Sequence, residues 1–97
     1  MYSDYHLPED KMREVLQCDR RNHLVIGGYV NTDQHEVVLW TGNLVRFVVP
    51  FFEFEPSGDG IAPDFEDFSV IDYGNTLKFG DYEAAVDSLA DYYLRAQ

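Results

Sequence analysis

Three histidines (His6, His23 and His35), one cysteine (Cys18) and eighteen carboxylates are the side chains of this 97-residue chain that could hold a metal or move a proton. Cys18 and His23 are close in sequence, but the polar DRRN separates them, and no second close-spaced pair completes a zinc site of the usual kind. The acidic SGDGIAPDFED lacks the alternating oxygen ligands and terminal glutamate of a calcium loop. Ser3, Ser57, Ser69 and Ser88 lie in no nucleophile elbow, and Gly58-Asp59-Gly60 has neither the phosphate-cradling glycine pattern nor its lysine. Paired carboxylates can share acid and base work, yet nothing singles out a pair among eighteen. The expectation is a non-enzymatic protein with no metal and no cofactor.

The charge is more informative than any motif. The net charge is −11, and residues 49–97 hold eleven acids against Lys78 and Arg95, whereas residues 1–48 hold seven acids against five bases. Such a C-terminal half repels phosphates, which excludes direct nucleic-acid binding and disfavours an anionic membrane surface. No apolar run approaches the roughly 20 residues of a spanning helix. The opening MYSDYHLPED lacks the basic and then apolar order of a secretory signal, and Cys18 has no intrachain disulfide partner, so the expected location is the cytoplasm. Hydrophobic residues make up 45% of the chain, enough for it to fold, and its length suits a single domain over residues 1–97.

The elements that would position these acids follow from side-chain type. EVVLW (36–40) and LVRFVV (44–49) are rich in β-branched and aromatic residues and flank Thr41-Gly42-Asn43, which predicts a hairpin. A two-residue turn at Gly42-Asn43 would set Trp40 opposite Val45 and Val38 opposite Phe47. Both faces of that hairpin are largely apolar, so each needs a cover: a helix, the aromatic loop or a second copy of the chain in a homodimer. HLVIGGYV (23–30) is a further strand, with a bulge or close backbone approach expected at Gly27-Gly28. Residues 8–18 read as helix, from Met12, Val15 and Leu16, or as a fourth strand, with helix favoured.

FSVIDYGNTLKF (68–79) is read as one strand broken by Gly80, after which Asp81 caps a C-terminal helix. That helix would pack on the sheet through Tyr82, Val86, Leu89 and Tyr93, and display Glu83, Asp87 and Asp91 on a neighbouring face. Between hairpin and helix, FFEFEPSGDGIAPDFEDF (51–68) places five phenylalanines among six carboxylates. Some of Phe51, Phe52 and Phe54 should close the core, with Phe65 and Phe68 returning to it, and Asp64 capping a short turn. The fold class expected is α+β: an antiparallel meander of three or four strands with the helix packed on it.

TGNLVRFVVPFFEF, followed after a variable segment by YGNTLKFGDYEAAVDSLA, resembles the small bacterial proteins grouped as domain-of-unknown-function family 2442, over about residues 36–90. Phe79 fits the family's aromatic, while Gly80 stands where a proline is usual, Ala84 and Ala85 where acids are usual, and Leu89 echoes the ending. The resemblance implies a small α+β domain and, from the genes that neighbour some members, an antitoxin-like or regulatory protein; it implies no catalytic residue. The expected partner is a basic protein, held by Asp64, Glu66, Asp67, Glu83, Asp87 and Asp91. The alternative is a nucleic-acid mimic, a DNA mimic above all, whose carboxylates imitate phosphates in the basic groove of an enzyme.

Overall fold

The computed structural model describes residues 3–55 and 60–95. Along the chain run β1 (Ser3–His6), α1 (Glu9–Leu16), β2 (Val25–Asn31), β3 (Glu36–Thr41), β4 (Arg46–Pro50), β5 (Phe68–Ile71), β6 (Thr76–Phe79), β7 (Tyr82–Ala85) and α2 (Val86–Arg95), with 3-10 turns at Arg21–His23, Phe51–Glu53 and Asp72–Gly74. The strands form two antiparallel sheets, one ordered β1-β2-β3-β4 and one ordered β5-β6-β7. The architecture is α+β, with the C-terminal helix packed on the sheets. Of the surface loop that Pro56, Gly58, Gly60 and Pro63 predict, residues 56–59 lie outside the described residues, and 60–63 run without helix or strand, with Gly60, Ile61 and Ala62 exposed.

The hairpin exists with a different register. Leu39 faces Phe47 and Val37 faces Val49, one residue away from the pairing that a two-residue turn would give. The loop is three residues long: the Thr41 N–H donates to the Val45 carbonyl at 3.0 Å, and Leu44 takes the left-handed conformation, with φ at 65°. This is the three-residue hairpin loop with its third residue left-handed. Gly42 serves closeness, not turn geometry. Its N–H donates to the carbonyls of Arg21 and Leu24 at 2.8 and 2.9 Å, and a Cβ there would lie 2.7 Å from Arg21 Cβ. Because strand side chains alternate, the one-residue change decides which face is core.

The inner face of the larger sheet therefore presents Val30, Val37, Leu39, Phe47 and Val49, all fully buried. The bulge expected in β2 is present, as a register shift between Val25 and Gly27, and Gly27 and Gly28 bring β1 and β3 too close for any Cβ. α1 adopts the favoured helical alternative and covers one end of the core with Val15, while Met12 packs beside it.

The segment 68–79 is not one strand. It folds back through the left-handed pair Asp72 and Tyr73, with φ of 55° and 52°, so that β5 and β6 pair from Phe68↔Phe79 to Ile71↔Thr76. Nor does the last helix begin after Gly80. Gly80-Asp81 is a two-residue hairpin turn with Gly80 at φ 65°, and Tyr82–Ala85 returns as β7, pairing Phe79↔Tyr82 and Lys78↔Glu83. Ala and Glu favour helix, but Tyr82 and Ala84 gain more by lying beside Phe79 and Leu77 on the apolar side of the small sheet. α2 then starts at Val86 and buries Val86, Leu89 and Ala90, with Tyr93 half-buried.

Phe79 is the centre at which the aromatic stretch converges. Its ring lies 4.8 Å from Phe54, 5.2 Å from Phe65 and 5.3 Å from Phe68 between centroids. Phe51 stacks on Phe65 at 3.8 Å, whereas Phe52 points outward and is 67% exposed. Four of the five phenylalanines in 51–68 thus pack with the core cluster, as expected of a segment that closes a small domain.

Candidate functional site

The candidate surface is built on the outer side of the small sheet. Alternation sends Phe68, Val70, Leu77 and Phe79 inward and Ser69, Lys78 and Glu83 outward, in register with one another. The acidic turn 64–67 is fastened to the end of β6 by two backbone bonds: the Asp64 N–H donates to the Phe79 carbonyl at 3.1 Å, and the Gly80 N–H donates to the Asp67 carbonyl at 2.9 Å. Within the turn, the Asp67 N–H donates to the Asp64 carbonyl at 3.0 Å, and Asp64 Oδ1 accepts the Glu66 N–H at 3.1 Å. Asp64 thus caps a short turn, the role its position predicts.

These bonds gather residues distant in sequence. Asp64, Asp67 and Asp81 line a depression of about 490 Å³ together with Ile61, Ala62, Gly80 and Lys78. Glu83 stands across from Lys78 on β7, and Glu66 is exposed on the turn. Among the described lining residues Lys78 is the single cation, so the acids outnumber it on this face. Asp81 and Lys78 were not among the residues expected at a site; the signal for Asp81 was the Gly-Asp turn itself.

Asp87 and Asp91 belong elsewhere. No helical stripe joins them to Glu83, because Glu83 is on β7 and α2 begins after it. Asp87 accepts from Arg20 NH2 through both carboxylate oxygens, each at 3.2 Å, and lies 3.6 Å from His23 Nδ1. Arg20, His23, Asp87, Ser88 and Asp91 line a second depression of about 350 Å³. An exposed ion pair of this kind contributes at most about 1 kcal/mol, but it takes Asp87 out of the excess of negative charge. The expected six-residue surface therefore separates into Asp64, Glu66, Asp67 and Glu83 on one side, and Asp87 and Asp91 on another.

The other residues considered for chemistry are scattered. His6 is exposed on β1, His35 rests against the Phe51 ring at 5.6 Å in the β2–β3 turn, and Cys18 packs half-buried beside the core. Among the described residues, no three His, Cys, Asp or Glu side chains gather as metal ligands would. No helix among them is long and apolar enough to cross a membrane. Two tyrosines have perturbed ionisation. Burial raises the phenol of Tyr93, reinforced by its hydrogen bond to Glu53, and burial raises that of Tyr82, with the Glu55 charge adding to it. The Tyr93 hydroxyl is thus a donor that ties the turn Phe51–Glu53 to α2.

No family model matches the chain, and no curated protein and no solved structure matches it either.

Proposed function

We propose that the chain is a small acidic protein-binding module of the cytoplasm, antitoxin-like or regulatory in role, with no chemistry of its own. The observation that carries this reading is the fastened acidic turn. Backbone hydrogen bonds, not a loose loop, hold Asp64 and Asp67 beside Asp81 and Lys78, with Glu66 exposed on the same turn and Glu83 across from Lys78. A surface ordered before binding loses less conformational entropy on association. Its concentrated charge steers a basic protein toward it, an effect confined to about a Debye length, about 8 Å at physiological salt. The resemblance of TGNLVRFVVPFFEF and YGNTLKFGDYEAAVDSLA to domain-of-unknown-function family 2442 supports the antitoxin-like role. It says nothing of the partner.

The test is affinity capture from a host lysate at low salt, comparing the wild-type chain with Asp67→Lys/Asp81→Lys/Glu83→Lys. Asp64 is left unchanged because its side chain holds the turn. All three substituted residues are exposed, so the variant should melt as the wild type does. A basic protein retained by the wild type and lost by the variant is the expected result. Equal capture by both would overturn the assignment of this surface, and release of the partner by added double-stranded DNA would reassign it to phosphate mimicry.

A further inference from the structure

The two sheets share one core through their inner faces, and on the outer face of the larger sheet Tyr29, Trp40 and Val48 are half-buried, Trp40 also packing against the core cluster. Register places Tyr29, Val38 and Val48 in one row across it, with Trp40 in the next. Tyr29 and Trp40 lean together at 5.9 Å between centroids, and Val38 beneath them is only 1% exposed although it lies outside the core cluster. This is an apolar centre of the composition that interfaces favour.

The charges around that centre are arranged by sign. Arg46 stands beside Trp40 at the β4 edge of one row, whose β1 end is His6, while Asp4 lies on the β1 edge of the Tyr29 row and Glu36 occupies the row beyond. The β4 corner that holds Arg46 is therefore basic, and the side that holds Asp4 and Glu36 is acidic. In a chain of net charge −11, this face carries no marked excess of acid, so it is where two copies approach with least repulsion.

We propose that the outer face of the β1-β2-β3-β4 sheet is a homodimer interface, closed by a second copy of the chain about a two-fold axis that runs diagonally across the strands. An isologous contact requires a self-complementary patch, and a diagonal axis sets Arg46 of each copy over the Asp4 and Glu36 side of its mate. The strands of the two copies then cross near a right angle, one of the two ways in which sheets pack face to face. The face measures roughly 15 Å by 17 Å from strand spacing and rise. That is small beside stable interfaces, so the dimer is reversible and concentration-dependent.

The experiment is sedimentation equilibrium of the full chain over a dilution series, with three variants. Wild-type mass should rise from 11.2 kDa toward twice that value with concentration. Arg46→Glu opposes two acidic clusters at once, because symmetry repeats the change, and should raise the dissociation constant at least about tenfold. Arg46→Glu/Glu36→Arg should recover most of the loss. Val48→Lys, in the apolar row, should also give monomer. The proposal is overturned if the wild type remains 11.2 kDa at about 1 mM, or if a dimer forms that ignores both Arg46→Glu and Val48→Lys. Acid-surface capture and self-association read different faces, so either reading can fail without the other.

Discussion

Leu44 gives a test in which the sign of the effect, not only its size, depends on the hairpin geometry. It sits at φ 65° with its side chain 73% exposed, so it bears left-handed strain and contributes little burial. Left-handed backbone costs an L-residue about 1–2 kcal/mol, a cost glycine avoids, while glycine loses about 0.5–1 kcal/mol more chain entropy than alanine on folding. Comparing Leu44→Gly with Leu44→Ala cancels the lost side chain. Glycine should then exceed alanine by about 0.5–1 kcal/mol, or about 2–8 °C in thermal midpoint for a domain of this size. With a two-residue turn at Gly42-Asn43, residue 44 would be an ordinary strand position. Glycine would then be the less stable of the two by a similar amount. Thermal melts of both variants by circular dichroism decide it: a midpoint for Leu44→Ala equal to or above that of Leu44→Gly refutes the three-residue loop.

Two further outcomes follow from named contacts. The folded-state pKa of Tyr93 is raised above its ordinary 10.0, so its contribution is fully present below pH 10.0 and is lost as pH rises through the folded value. Tyr93→Phe should cost less than about 1 kcal/mol at neutral pH, because solvent reaches the hydroxyl, and should flatten the alkaline fall in stability; an unchanged alkaline profile would contradict the raised phenol pKa. At Gly28, any Cβ would overlap the Val38 carbonyl oxygen in the middle of the β2–β3 ladder, where backbone cannot yield. Gly28→Ala should therefore cost at least about 3 kcal/mol in urea denaturation, and a loss below 1 kcal/mol would show that the strands can separate there.

What could be read in the sequence was whatever side-chain type determines locally. β-Branched runs gave β2, β3 and β4, the paired glycines gave the bulge, and the phenylalanines of 51–68 were read as mostly closing the core, as four of the five do; which of Phe51, Phe52 and Phe54 stays out was not legible. The hairpin register was misread because glycine answers two demands. Gly42 meets the demand for close approach to Arg21, a residue the hairpin pattern does not contain. Tyr82–Ala85 was misread because two alanines and a glutamate favour helix, while the partner strand that overrides this preference lies across Gly80-Asp81. β1 is too short and polar to announce itself. At the site, the Asp64 turn was legible and its neighbours were not, since Asp81 joins it only through β7. Asp87 looked like a free surface acid, yet its partner Arg20 is 67 residues away.

The acid excess acquires meaning from this arrangement. Spread evenly, a net charge of −11 would oppose folding and self-association alike. Instead, Asp87 is paired with Arg20, and Asp64, Asp67, Asp81 and Glu83 collect on the outer side of the small sheet, around Lys78. The outer face of the larger sheet is left with a Trp-Tyr-Val centre and charges of both signs. The apolar faces of the two sheets meet in the core, so their outer faces point to different sides of the molecule. A dimer formed through the larger sheet would therefore leave both acidic surfaces open. Two linked weak sites engage a dimeric basic partner far more tightly than one. Arg46→Glu should then weaken capture of such a partner without touching the acidic surface that contacts it.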